Sequence, residues 1–530
     1  MESPAWHRRG QCEQSAVAFV VTLALVFAVG LALTGAFAAK FSLPVLDTLT
    51  YLEVGRNLLK GRGFVERFNF LHAWSGRTAY PGMAYYNPAY GLVLGILWEL
   101  LNPRAVAVVA TALPCCLNAA LLAVIVRRTM GSLTAVLSAV GFLLLPTTWT
   151  SIAIITAEHP ALTVILLSLL VIQEGTRRRN CLCAGAILGL GYFVKVGIAT
   201  VVPGVIAAIV LTRTGSPAQR LRTSCQPVLW LVSGIILVVV PYVVLAKLLV
   251  GGTYPVYAGS YHYWALAHRY GGHYVAATPA VQIDPARLPG FAERAANVLW
   301  NQWQMLRGIT SELGLLVAPL IVGLVAVRGE ARRQAVVLLA VGASAAMGHA
   351  AALNWEHMDK AWAGRYAIYA APLWYPIAAY GIVWLAGRVV RIDEWRTVVA
   401  VFMWVVISLP TAVPRFSRVR SALATEQPRV VQFQQVATSL AALIGPDELV
   451  AVDPRTYTAV AAAFLDRPVV SLPFEAMDTP QSYREFVEVF HPTLVIPGTT
   501  RNPYQVLPAL GYEPKRIPEL DGMIVFLRRR

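Results

Sequence analysis

Long apolar runs separated by short polar punctuation dominate the first four-fifths of the chain. The clearest cover residues 15–38, 105–126, 131–149, 228–250, 334–353, 367–386 and 396–413. Each approaches the roughly 20 residues that a helix needs to cross a bilayer. Shorter runs at 160–174, 181–195, 197–212 and 313–327 bring the expected spans to eleven. A twelfth stretch, 87–101, is short and starts with Asn87-Pro88.

Arginine placement decides whether 87–101 crosses. With the N-terminus and its Arg8 and Arg9 inside, and 87–101 not crossing, every short inside loop carries at least two arginines. They are Arg127–Arg128, Arg177–Arg179, the group Arg213, Arg220 and Arg222, the group Arg328, Arg332 and Arg333, and the group Arg388, Arg391 and Arg396. That is what the positive-inside rule asks. A crossing at 87–101 would invert all of them, so it is expected to be a re-entrant or interfacial helix on the outer side. The first apolar run is too long for a signal peptide and lacks a small-residue cleavage site. The expectation is an integral protein of the plasma or inner membrane, with a cytoplasmic N-terminus and outer regions 39–104, 251–312 and 415–530.

After Pro414 the period changes. Glu448–Val452, Pro468–Leu472, Thr493–Pro497 and Met523–Leu527 are short, strand-like runs, and Val430–Ile444 and Gln481–Phe490 alternate with them as helices. This predicts a small, mostly parallel α/β layer. The chain thus divides into a transmembrane body, 1–414, and an extracytoplasmic α/β domain, 415–530. Ile444-Gly445-Pro446-Asp447 is a helix stop rather than a phosphate loop, which favours a capping or structural role for that domain.

Composition narrows the class. The 530 residues are 57% hydrophobic and only 14% charged, against about 25% charged in soluble proteins. A cytosolic enzyme, a disulfide-stapled secreted module and a disordered chain are excluded. The net charge of +16 is largely loop arginine, so no nucleic-acid partner is implied; membrane lipids are the surroundings. Six cysteines, with none in the outer regions, support neither a disulfide framework nor a cysteine-ligated metal.

Charges beside spans are costly and rare, and four of them gather at the outer face: Asp47 after the first span, Glu158 before the fourth, Lys195 between two short runs, and Arg365 in the segment joining spans nine and ten. A carboxylate can act as general base on an acceptor hydroxyl, while Lys and Arg neutralise phosphate. The set suits displacement of a phosphate leaving group. Each residue also has a plain structural role open to it: Asp47 and Glu158 as helix caps, Lys195 as a snorkelling side chain, Arg365 as an interfacial anchor.

The stretch Leu46-Asp47-Thr48 through Gly61-Arg62-Gly63-Phe64 resembles the first outer loop of the GT-C integral-membrane glycosyltransferases, such as protein O-mannosyltransferases and the aminoarabinose transferase of lipid A. Asn87-Pro88-Ala89-Tyr90-Gly91-Leu92, Glu158, Gly189–Lys195 and Gly364-Arg365-Tyr366 with Pro372 are similar, in order and spacing, to later motifs of that family. Two departures stand out: Asp47 is followed by Thr48 rather than a second acid, and the second acidic position is Glu rather than Asp. The resemblance implies an α-helical polytopic GT-C-like fold and an inverting transfer of sugar from a polyprenyl-phosphate donor to a lipid, polysaccharide or protein acceptor. Under it, Asp47 would be the base, and Glu158 would orient donor or acceptor, or with Asp47 hold a divalent cation, Mg or Mn. Lys195 and Arg365, with His159 and Tyr366 beside them, would bind the donor phosphate.

The loop Tyr254–Tyr274 carries Tyr261, His262 and Arg269 among many aromatic residues. It fits a lid over the substrate or an aromatic belt at the interface. The rival to a transferase is a multispanning transporter of a lipid-linked or anionic substrate. Transporters tend to show internal repeats and helices broken at mid-membrane; the chain has no convincing repeat and its acids collect at one face.

Overall fold

The computed structural model describes residues 5–41, 46–63, 65–66, 68–69, 82–83, 88–250, 273–275, 280–282, 288–353, 357–358, 360–452, 468–471, 480–497, 502–517 and 523–529. Each of the eleven apolar runs falls on helical structure. Among the described residues, six helices are long and apolar enough to cross a membrane, or eight if each of two bent pairs counts as one span. Glu158–Gln173 and Val196–Leu211 are apolar but shorter, because the charged residues Glu158 and Lys195 stand at their starts.

Proline explains the bends. Ser132–Leu144 and Pro146–Ala153 meet at 49°, with Leu145 extended ahead of Pro146, as the residue before a proline prefers. The second pair, Ala363–Tyr369 and Ala371–Val389, meets at 66° just before Pro372.

One helix departs from the sequence expectation. Residues up to 312 are expected to lie in an outer loop, yet Phe291–Leu313 is helical and continues through the turn Gly314–Leu316 into Val317–Ala326. Its polar residues Asn297, Asn301, Gln304 and Glu312 are buried, while Leu299, Trp300, Trp303 and Leu306 are exposed. A helix that turns its polar stripe inward and its apolar stripe outward suits lipid surroundings. Its average hydropathy is low, so a search for unbroken apolar runs passes over it.

The helix Asp393–Ala441 runs without interruption through the expected boundary at Pro414 and leads into the C-terminal sheet. That sheet has six strands in the order Phe68–Asn69, Val469–Ser471, Val450–Val452, Leu494–Ile496, Met523–Arg528 and Tyr512–Ile517. The first four are parallel and the last two pair antiparallel. Four of these strands coincide with the strand-like runs of the sequence. Tyr483, Phe486 and Phe490 of the helix Pro480–Phe490 pack with Ala451, Val470, Val495 and Phe526 of the sheet. The edge strand Phe68–Asn69 comes from the other end of the chain, from the segment after the helix Leu46–Leu59. The hairpin strand His273–Val275 also touches the helix Pro480–Phe490.

Candidate active site

The site begins with a helical hairpin. Glu158–Gln173 and Arg178–Val194 are neighbours joined by a short connection. An antiparallel pair returns the chain to its starting level, so Glu158 at the first helix's start and Lys195 just past the second helix's end come together. Asn118, fully buried on the neighbouring helix Leu113–Met130, fixes that start. Its Nδ2 donates to the His159 carbonyl at 2.9 Å, and its Oδ1 accepts from Thr163 Oγ1 at 2.7 Å. At Lys195 the backbone becomes extended (φ −156°, ψ 126°), which ends the helix.

Glu158 is wholly buried. Its Oε1 accepts from Lys195 Nζ and from Arg365 Nε, both at 2.6 Å. One carboxylate thus holds two cations contributed by separate parts of the chain. Its other oxygen, Oε2, takes neither cation, and the Thr156 hydroxyl stands close to the carboxylate. The hydroxyls of Tyr90 and Tyr369, both within electrostatic range of the carboxylate, are buried without a partner among the described residues. Buried polar atoms are nearly always hydrogen-bonded, to ordered water if not to protein.

Arg365 lies near the end of the helix Lys360–Tyr366, and Thr147 Oγ1 donates to the carbonyl of its neighbour Gly364 at 3.1 Å. Lys195 Nζ lies 5.8 Å from the ring centroid of Tyr366, a cation–π distance. Asp47 is in the first turn of the helix Leu46–Leu59, and its side chain is outside the described residues. The adjacent Thr48 ties that turn to the cluster: its Oγ1 donates to the Ile155 carbonyl at 2.7 Å, three residues before Glu158. Glycine packs the same helix against Pro88–Leu100. A Cβ on Gly55 would stand 2.0 Å from the Gly91 carbonyl oxygen, so no larger residue fits there without a shift. Tyr51 and Tyr90 complete the contact edge to face, with ring centroids 4.9 Å apart.

The structure therefore brings Glu158, Lys195, Arg365 and Tyr366 together, with the backbone of Asp47 tethered beside them. His159 turns elsewhere: its Nε2 lies 3.3 Å from the Thr148 carbonyl and its ring stands edge-on to Phe142. Tyr261, His262 and Arg269 fall outside the described residues. Sequence reasoning missed His349, which stacks on Tyr369 at 5.3 Å, leans on Tyr366 at 4.5 Å, and has its Nδ1 2.7 Å from the Ala345 carbonyl. Gly197 packs closely against it: a Cβ there would come within 2.8 Å of His349 Nε2, so a larger residue would have to displace the ring. A histidine inside an alanine- and glycine-rich helix offers no signal beyond its rarity.

Among the described residues, no grouping of three His, Cys, Asp or Glu side chains surrounds this site; the side chain of Asp47, which with Glu158 would hold a divalent cation, lies outside them.

By sequence, neither a family model nor a curated protein matches this chain. By structure, it is similar to the crystal structure of ArnT from Cupriavidus metallidurans bound to undecaprenyl phosphate, with a TM-score of 0.57 and 14% identity over 96% of this chain and 97% of that one. The apo form of that ArnT is similar at 0.53 and 15%, over 97% and 98%. The Archaeoglobus fulgidus oligosaccharyltransferase in complex with Zn and sulfate is similar at 0.52 and 12%, over 94% of this chain and 73% of that one. At such identities it is the fold that is shared, and it is shared over nearly the whole length. The chain has the fold of these structures, a polytopic α-helical body with a small C-terminal α/β domain.

Proposed function

We propose that this protein is an inverting glycosyltransferase that moves a sugar from a polyprenyl-phosphate donor to an acceptor hydroxyl at the extracytoplasmic face of the membrane. The observation that carries the reading is the buried Glu158 with Lys195 and Arg365 on one of its oxygens. A lysine and an arginine brought to one point supply the donors that suit a phosphate, in an apolar body that suits a lipid tail. Similarity to an ArnT structure bound to undecaprenyl phosphate supports the same donor class.

In this reading Lys195 and Arg365 hold the donor phosphate, and Glu158 fixes their geometry. The acceptor hydroxyl oxygen attacks the anomeric carbon from the face opposite the phosphate. A new carbon–oxygen bond forms as the bond to the phosphate oxygen breaks, and polyprenyl phosphate leaves with the bonding electron pair. The hydroxyl proton passes to Asp47. The two cations stabilise the charge that develops on the leaving oxygen.

The test is transfer from a synthetic polyprenyl-phosphate sugar by the purified protein in detergent. Asp47→Asn, checked for normal folding, is expected to lower kcat by about 10²–10⁴-fold, the usual worth of general base catalysis. Full retained transfer would remove Asp47 from that role. Failure of the wild type to turn over any of a panel of sugars and acceptors would count against an enzyme of this class. For orientation, a reporter fused after Arg530 is expected to be active only outside the cytoplasm.

A further inference from the structure

A second buried carboxylate lies in the same body. Glu312 ends the inside-out helix Phe291–Leu313, and both its oxygens are taken. Oε2 accepts from the backbone N–H of Thr147 at 2.7 Å, and Oε1 accepts from Arg415 Nη1 at 3.1 Å. Arg415 Nη2 also donates to Ser311 Oγ. Breaking a buried ion pair is expensive, and inside a membrane body such a pair calls for a reason.

The contacts of Thr147 supply one. Thr147 is in the first turn of Pro146–Ala153, where helix N–H groups lack partners and an anion is favourable. The Glu312 carboxylate caps this helix from outside its own element. The helix then leads to Ile155, whose carbonyl holds Thr48 beside Asp47, and on to Glu158. The hydroxyl of the same Thr147 holds the Gly364 carbonyl beside Arg365. One threonine thus connects Glu312 to the segments that carry Asp47, Glu158 and Arg365. Arg415 lies on the helix Asp393–Ala441, which leads into the C-terminal sheet.

We propose that Glu312 and Arg415 are a positioning pair: through Thr147 they set the Glu158–Arg365 cluster, and through Arg415 they link it to the helix that leads into the C-terminal domain. The catalytic part of this statement rests on the transferase reading above; the positioning part does not.

Hydrogen exchange of the full-length protein in nanodiscs, read by mass spectrometry, tests positioning without any need for turnover. Glu312→Ala is expected to speed exchange in 146–158 and in 360–366 by about 10-fold, as loss of one buried hydrogen-bonded anchor would. Glu312→Gln, whose amide oxygen still accepts from Thr147, should remain closer to wild type. Faster exchange confined to the residues around 312 would overturn the proposal. In the transfer assay, Glu312→Ala is expected to lower kcat by about 30-fold with little change in KM for the donor, as a small misplacement of reacting groups does. Arg415→Ala should act likewise, and the double variant no worse than either single one. A rise in KM at unchanged kcat, or additive losses, would overturn the catalytic part. A wild type without turnover would sink the transferase reading and leave the exchange result to decide positioning.

Discussion

Glu158 and Glu312 are both buried carboxylates paired with arginine in the same apolar body, yet they are satisfied differently. Glu312 spends one oxygen on a backbone N–H and the other on a guanidinium. Glu158 places two cations on one oxygen and none on the other. A fully satisfied network holds its neighbours in one arrangement, whereas a network with atoms to spare can take up a ligand. The contrast separates a carboxylate that ties a backbone N–H to one arginine from a carboxylate that gathers two cations on one oxygen, although composition and burial alone make them look alike.

The comparison can be broken most directly at Glu158. Replacing it with Ala leaves Lys195 and Arg365 without their shared carboxylate, and a loss of about 3–5 kcal/mol is expected, read as a lower thermal midpoint in detergent. Transfer should fall below detection. A variant that unfolds no earlier and still transfers sugar would end the distinction.

Replacing both members of the other pair by Leu is a sharper test. Exchanging a buried ion pair for apolar residues is often neutral or stabilising, so Glu312→Leu with Arg415→Leu is expected to fold within about 1–2 kcal/mol of wild type while kcat falls. Stability and rate should separate here and fall together at Glu158. A smaller effect is expected at the glycine contact beside Asp47. Gly55→Ala forces a Cβ against the Gly91 carbonyl, and overpacking of this kind costs about 1–3 kcal/mol; transfer should drop because the helix that carries Asp47 must move. Smallest is Tyr512→Phe in the C-terminal domain, which removes a 2.5 Å hydrogen bond to the Pro492 carbonyl. About 1 kcal/mol should be lost, with kcat unchanged.

Much of this was legible in the residues. Apolar runs placed the helices because burial in lipid requires long apolar segments, and Glu158, Lys195 and Arg365 stood out because charge is rare there. The sharing of one Glu158 oxygen by both cations was not legible, since it depends on three segments distant in sequence. Glu312 escaped notice for a different reason: it sits on a helix whose polar face reads as solvent-exposed until the outer, apolar face is seen. Arg415 looked like the first residue of a separate tail, whereas the helix runs straight past Pro414. The strand Phe68–Asn69 is two residues long, too short to show a period, and its partner in the sheet lies near the other end of the chain.

That last pairing bears on the order in which the molecule can be finished. Phe68–Asn69 joins the sheet beside Val469–Ser471, which leaves the ribosome about 400 residues later, roughly 20 to 80 seconds at ordinary synthesis rates. Until then the segment after the Asp47 helix lacks the strand it pairs with, while the helices between them are already being made. Pairing of this edge strand is therefore among the last steps of maturation, and a chain cut short before residue 469 keeps its acidic helix but not the seam that joins it to the C-terminal sheet.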